Sequence, residues 1–252
     1  MTYQPREFWE RRLSEHFDLR GTGETGLSLA YNRACYRLRR DVLERALRDA
    51  AFDPAGSRVL DVGCGTGFFT AYYLARGADV TGLDIAPKSV ETLRARHPEA
   101  RFLLADVSEG AIAERYDLLN AFDVLYHITD DAKWERAVAH LAAAVAPGGL
   151  LLLTDTFPPV QASTSLAEHN RMRPLARYGA ILEPVGFQLG PQIPTHVLLN
   201  RELGAFRFVN RLPALLLAAD RALLAMGLGR GPGVSKLLVA RRGAKTRVFY
   251  SG

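Results

Sequence analysis

The chain has 252 residues, 48% hydrophobic and 23% charged, with a formal net charge of +5 at pH 7. That balance excludes a disordered or collagen-like chain, and the length suffices for a sizeable core. With no run of about 18 uncharged apolar residues, no membrane span is expected. The polar start "MTYQPREFWERRLSEHF" lacks the apolar centre of a leader peptide. Cys35 and Cys64 fit neither a disulfide framework nor a metal spacing, so a reducing, cytoplasmic setting is the expectation. Charge is unevenly placed. Residues 51–159 carry nine basic and fifteen acidic residues, net −6, whereas 160–252 carry thirteen and four, net +9.

In chain order, "LAYNRACYRLRRDVLERALRDA" reads as one amphipathic helix, with Tyr36, Val42, Leu43, Ala46 and Leu47 on a shared face. From residue 58, short apolar runs alternate with helical patterns. "RVLDV", "DVTGLDI", "RFLLADV", "YDLLNAF" and "GLLLLTDT" suit strands buried on both faces. "GFFTAYYLARG", "APKSVETLRARHP" and "DDAKWERAVAHLAAAVAPGG" suit helices closed by Gly or Pro. Asp130 and Asp131 fit the cap and first turn of the third. This alternation predicts a parallel sheet with right-handed crossovers. Farther on, "SLAEHNRMRPLARYGAILEPVGFQLG" reads as helix, Gly turn and strand, with "THVLLN" as an extension of that strand. A helical stretch bent near Pro213 and a last strand, "SKLLVARR", complete the series.

"VGCGTG" (Val62 to Gly67) falls where the first strand hands over to a helix. Glycines there permit positive φ and bring backbone N–H groups to a ligand, beyond the carboxyl ends of the strands. A dinucleotide fingerprint fits Gly63, Gly65 and Asp84, but its third glycine position holds Phe68 and a strand acid, Asp61, precedes the turn.

"VLDVGCGTG" followed by Asp84 and then "FLLADV" (Phe102 to Val107) resembles the class I S-adenosylmethionine-dependent methyltransferases, over Val59 to about Thr156. The resemblance implies an α/β, Rossmann-like fold. It has a mostly parallel seven-stranded sheet with helices on both faces, N-terminal helices, and a helical insertion before the last strand. It implies one domain over 1–252. Residues 1–50 would be a helical cover, 51–156 the cofactor-binding core, and 157–252 an acceptor-side half with the insertion at about 203–229. It also implies S-adenosylmethionine as cofactor. Asp61 would support the glycine loop and the amino group. Gly63, Gly65 and Gly67 would clear space for the methionyl part. Asp84 would accept the ribose hydroxyls. Ile85, Asp106 and Val107 would meet the adenine, Ala121 would border the cofactor at the end of the fourth strand, and Tyr31 would cover its carboxylate.

Transfer from a sulfonium needs chiefly an acceptor held in line, with a base where the acceptor carries a proton. In the resemblance, "NAFDVLYHITDD" borders the methyl group. His127 is the candidate base, since an unperturbed imidazole titrates near 6.5, and Tyr126 is a candidate pocket wall. A related subset of the family holds a divalent metal at this point. Here Tyr126 replaces one carboxylate, so no catalytic metal is expected. His169, Arg171 and Arg173 are candidates for gripping a phosphate or carboxylate on the acceptor, with a solvated helix start as the alternative. The insertion Leu203–Gly229 has three readings: a lid over the acceptor, which is preferred, a dimer surface, or an interfacial membrane helix.

The expected function is methyl transfer to oxygen or nitrogen of a small molecule, an anionic one included. The alternatives are an RNA methyltransferase, a non-catalytic S-adenosylmethionine-binding protein, and an NAD-dependent oxidoreductase. The basic last third speaks for nucleic acid, but no RNA-binding module is recognisable. Nucleic acid is therefore not an expected partner, while peripheral membrane contact stays open.

Overall fold

The structure is a computed structural model that describes residues 3–159, 169–199, 204–231 and 233–244, with 204–207 as backbone. Seven strands form one sheet: β1 (Arg58–Val62), β2 (Asp79–Asp84), β3 (Arg101–Leu104), β4 (Tyr116–Ala121), β5 (Val145–Asp155), β6 (Phe187–Pro194) and β7 (Lys236–Arg242). Their order is β3-β2-β1-β4-β5-β7-β6. The first five pair in parallel, and β7 runs antiparallel to both neighbours. The expected fold is the observed one.

The continuous apolar runs follow from burial on both faces. On β5, Leu151 and Leu153 pack with β4 and with α5 (Asp131–Ala144) and α6 (Leu175–Leu182). Leu150 and Leu152 face the other way, toward α2 (Leu29–Asp49) and α3 (Phe68–Leu74). Alternation along a strand divides one hydrophobic run between two cores. The order reverses between β1 and β4, so a crevice opens beyond their carboxyl ends.

Local signals set the helices beside that crevice. Ser28 caps α2, its Oγ accepting from Tyr31 N at 3.1 Å, and Asp130 caps α5 in the same way from Lys133 N at 2.7 Å. Pro5 and Pro87 open α1 (Pro5–Glu15) and α4 (Pro87–Arg96), positions where a missing N–H costs no hydrogen bond.

Two expectations need correction, and a third is refined. The segment before α6 is not helical where it is described: the helix begins only at Leu175, with Pro174 as its cap. Proline disfavours helical backbone in the residue before it, and Arg173 N donates instead to Asp155 Oδ2; Ser165 to Glu168 lie outside the described residues. "THVLLN" does not prolong β6. The ladder ends at Pro194, and the N–H groups of Leu198 and Leu199 donate to the Asp220 carboxylate at 2.6 and 3.0 Å. The stretch before β7 is two helices, a 3-10 helix at Gly204–Arg211 and then α7 (Pro213–Ala225). The break falls at the expected proline, and Leu203 lies outside the described residues.

Candidate functional site

A cavity of about 670 Å³ lies over the crevice, bounded by the glycine turn, the ends of β2, β3 and β4, α1 and part of α2. Gly63, Gly65 and Gly67 have φ of 68°, 52° and 82°, values that side-chain-bearing residues seldom adopt. Sterics add a second reason. A Cβ on Gly63 would sit 2.3 Å from Val124 Cγ2, one on Gly65 2.6 Å from Thr22 Cγ2, and one on Gly67 2.5 Å from Leu93 Cδ2. The absent Cβ atoms thus make room for protein side chains, and Gly63 and Gly65 also line the cavity. Gly63 N is tied to Leu83 O at 2.7 Å, which docks the turn on β2.

The three acids stand at three strand ends. Asp61 is buried beneath the turn and does not line the cavity. Its Oδ2 accepts from Thr70 Oγ1 at 2.6 Å and its Oδ1 from Asn120 Nδ2 at 2.7 Å, joining β1, α3 and β4. Burial pushes its carboxyl up to about 6 despite those donors. Asp84 does line the cavity. Its Oδ2 accepts from Gly65 N at 2.8 Å and its Oδ1 from Ala86 N at 2.9 Å. Burial raises its carboxyl, and the two backbone donors oppose that rise. Each oxygen still has a lone pair for a hydroxyl. Asp106 lines the cavity and takes Ser108 N and Oγ on Oδ1 at 2.8 and 2.7 Å. Ile85 and Val107 are wall residues as well. Ala121 is fully buried in the core behind β4, and its neighbour Phe122 forms the wall instead.

On the opposite wall, His127 sits in a short 3-10 turn, Leu125–His127. Its Nδ1 lies 3.0 Å from the carbonyl of His169. A carbonyl only accepts, so Nδ1 carries the hydrogen and the neutral ring keeps its lone pair on Nε2. Burial lowers the imidazole to about 4, so the ring is neutral at pH 7. Trp9 of α1 packs edge-on against it, with ring centroids 4.9 Å apart. Tyr126 stands beside His127, at 4.4 Å between ring centroids, but is not part of the cavity wall.

Sequence reasoning passed over several cavity residues. Asp123 has φ of 58° without being glycine, a strained conformation of the kind that clusters at functional sites. Its N–H donates to Thr154 Oγ1 at 2.7 Å, and its Oδ2 meets the Arg39 guanidinium at 2.9 Å. Burial acts to lower Arg39, but Asp123 beside it holds the guanidinium above its ordinary value. The Tyr36 hydroxyl donates to Thr22 Oγ1 at 2.7 Å. Tyr36, Arg39 and Thr22 all line the cavity, together with Tyr3, Arg6 and Trp9 from the first turns of the chain. Of these, Tyr36 carried a sequence signal, as a member of the apolar face of the helix before the core.

Other expected site residues lie elsewhere. Tyr31 is buried between α2 and α7 with Leu199, Leu216 and Leu217; it points away from the cavity because α2 presents Tyr36 and Arg39 on the cavity side. Arg173 is wholly buried. Its guanidinium bonds Asp131 Oδ1 at 3.0 Å and lies over the Trp134 ring at 4.8 Å, so it is occupied inside the protein. Arg171 pairs with Asp131 at 2.9 Å and donates to Thr129 O. His169 stacks on Phe8 at 4.9 Å and on His127 at 5.6 Å, next to the cavity wall but not in it. These three residues therefore brace the wall that carries His127. Among the described residues, no side chain from the insertion lines the cavity, which gives the lid reading no support. Among those residues, too, no group of three or more His, Cys, Asp or Glu is placed to hold a metal.

This fold, with acids at the end of β2 and just after β3 on one cavity and a third beneath the glycine turn, defines a class I methyltransferase-type domain. The methyltransferase-domain family model matches residues 31–183, more than half of the chain, and the chain belongs to that family. Among curated proteins, it is 34% identical over 122 residues to malonyl-[acyl-carrier protein] O-methyltransferase of Serratia marcescens, covering 48% of this chain and 46% of that protein. It is 37% identical over 131 residues to trans-aconitate 2-methyltransferase of Methylobacterium radiotolerans, covering 50% and 46%. The chain thus spans about half the length of the curated relatives it matches. Among solved structures, magnesium protoporphyrin IX methyltransferase from Synechocystis PCC 6803 superposes with a TM-score of 0.62 at 18% identity, over 94% of this chain and 98% of that one. At that identity the likeness concerns the fold alone.

Proposed function

We propose that this chain transfers the methyl group of S-adenosylmethionine to an oxygen of a small-molecule acceptor. One observation carries the reading: the glycine turn, Asp84, Asp106 and His127 all border a single cavity. Its volume of about 670 Å³ lies well above the low end of about 300 Å³ for small-molecule sites, which suits a cofactor and a modest acceptor together. The residues present fit the cofactor. Asp84 offers two acceptor oxygens for a diol, Asp106 and Ser108 offer polar atoms for an adenine edge, and Ile85 and Val107 offer apolar surface.

When bound, the sulfonium supplies an activated methyl group with a neutral thioether as leaving group. The protein's task is then to hold the acceptor in line at about 3–3.5 Å and to exclude water. Trp9 of α1 and Tyr3, just before that helix, roof the cavity. His127 receives the acceptor's proton on Nε2, the nitrogen left free of hydrogen by the bond from Nδ1 to His169. The methyltransferases named above as relatives support the class, and the O-methyltransferase among them supports oxygen. Arg171 and Arg173 are turned to Asp131 and give no support to an anionic acceptor.

Asp84→Ala removes two charge-assisted hydrogen bonds to the ribose, each worth roughly 1.5–3 kcal/mol. Calorimetry should then find S-adenosylmethionine bound at least about tenfold more weakly, with circular dichroism unchanged. Equal affinity in parent and variant would remove Asp84 from the cofactor site. A transfer assay with methyl-labelled cofactor against a metabolite extract tests the reaction itself and yields the acceptor by mass spectrometry.

A further inference from the structure

α7 packs one face on α2. Leu216 and Leu217 bury against Tyr31, Ala34, Cys35 and Leu38, and Asp220, also buried, takes the N–H groups of Leu198 and Leu199. At about 100° per residue, Leu215, Ala222 and Met226 fall on the side opposite Asp220 and Leu224. That outer side is apolar and open to solvent: Leu215 is 60% exposed and Met226 67%. Phe208, 59% exposed, and Leu212 extend it at one end, and Leu228 at the other. Five of the eight large hydrophobic side chains most exposed among the described residues thus come from one stretch of 21 residues.

The charges of this stretch are equally one-sided. Between Gly204 and Gly231 the sequence holds a single acid, Asp220, and it is fully buried. Arg211, Arg221 and Arg230 are all exposed. Arg221 pairs with Asp41 on α2 at 2.7 Å; Arg211 and Arg230, near the two ends of the apolar side, form no ion pair among the described residues. Among the described residues, the outer surface therefore offers chiefly apolar and cationic groups. A surface of that kind complements an apolar layer under a sheet of negative charge. An acidic groove on a protein would match the arginines but would not need so long an apolar side.

We propose that the outer face of α7, with Phe208, Leu212 and Leu228, docks the protein on an anionic lipid bilayer, lying in its surface rather than crossing it. No helix among the described residues is long and apolar enough to cross a membrane, in keeping with an interfacial mode. The site is separate from the cavity, and the proposal stands apart from the methyl acceptor. The two are mechanically joined all the same, because α2 carries Leu38 against α7 and Tyr36 and Arg39 into the cavity.

The test is co-sedimentation of the full chain with vesicles of phosphatidylcholine alone or with one-third phosphatidylglycerol. The parent should bind the anionic vesicles at least tenfold more strongly, and a rise from 50 to 500 mM NaCl should weaken that binding. Arg211→Gln should cost about fivefold. Leu215→Glu should cost at least tenfold, and its melting temperature should stay that of the parent because the side chain is exposed. Met226→Glu, just beyond the end of the helix, is the second variant should Leu215→Glu fold poorly. Equal binding to both vesicle types, or a parent and glutamate variants that bind alike, overturns the proposal. So does a parent that ignores vesicles but forms a dimer, seen by analytical ultracentrifugation, that Leu215→Glu breaks; the face would then belong to a second copy.

Discussion

His127 illustrates how environment remakes a residue. A free imidazole titrates near 6.5, but burial beside Trp9 and Tyr126 lowers this ring to about 4. The ring is thus already unprotonated through the neutral range. If it takes the acceptor's proton, turnover of the parent should be flat with pH between about 6 and 8 as far as His127 is concerned, and should fall only as pH drops toward 4. His127→Ala should bind S-adenosylmethionine almost normally and lose roughly 10²–10⁴-fold in turnover. His127→Asn retaining activity within a few-fold of the parent at every pH would confine His127 to shaping the wall. The same depression acts on stability. The unfolded ring binds a proton below 6.5 and the folded ring only below about 4, so stability is lost as pH falls through that window. Residue type made His127 a candidate from the sequence. Its tautomer depends on the carbonyl of His169, 42 positions away, and its lowered basicity on burial, which that hydrogen bond opposes.

At the scale of elements, α1 is the roof of the cavity, and its hold on the body is polar as well as aromatic. The Arg12 guanidinium donates to the carbonyls of Gly21 and Gly23, and Glu10 accepts from Lys88 N at the start of α4 at 2.8 Å. Phe8 and Trp9 lean on the two histidines. Arg12→Ala should therefore free α1 without disturbing the sheet. Hydrogen exchange over residues 5–15 should quicken by tenfold or more, and β1, β4 and β5 should keep their protection. Uniform quickening across the sheet would mean that α1 is an integral part of the core. The helix itself was only partly legible: Pro5 marks a start, but the polar, mixed sequence that follows has no strong apolar face. Its position depends on histidines contributed from beyond β4 and β5. The segment before α6 misled for the opposite reason. Its residues suit a helix, yet Pro174 and the buried guanidinium of Arg173 on Asp131 hold it open.

For the molecule as a whole, the cavity joins the ends of three strands to α1 and α2, so a ligand there should stabilise the entire fold. At 100 times its dissociation constant a ligand adds about 2.7 kcal/mol, and a domain of this size gains about 2–4 °C per kcal/mol. Scanning calorimetry should then show a rise of roughly 5–10 °C with S-adenosylmethionine or its demethylated product, and none with NAD. A rise with NAD alone would return the glycine turn to the dinucleotide reading that Phe68 opposes. The charge asymmetry also takes shape at this scale. The acidic middle contains the strand-end carboxylates, while part of the basic last third surrounds the apolar outer face of α7.

The sequence alone determined the layered α/β architecture, because strands buried on both faces must be continuously apolar and the helices between them must close on Gly or Pro. It also determined the glycine turn and the acids at the ends of β1, β2 and β3, since those are local features set by one strand and the turn after it. Tertiary structure decided which side chains enter the cavity. Tyr31 and Tyr36 are five positions apart on one helix, yet only Tyr36 reaches it, because α7 covers the other side. Arg173, an apparent anion-binding residue, became a buried brace because Asp131 and Trp134 were brought to it by the packing of α5. Periodicity identifies the faces of a helix, but which neighbour covers each face is settled only when the whole chain is packed.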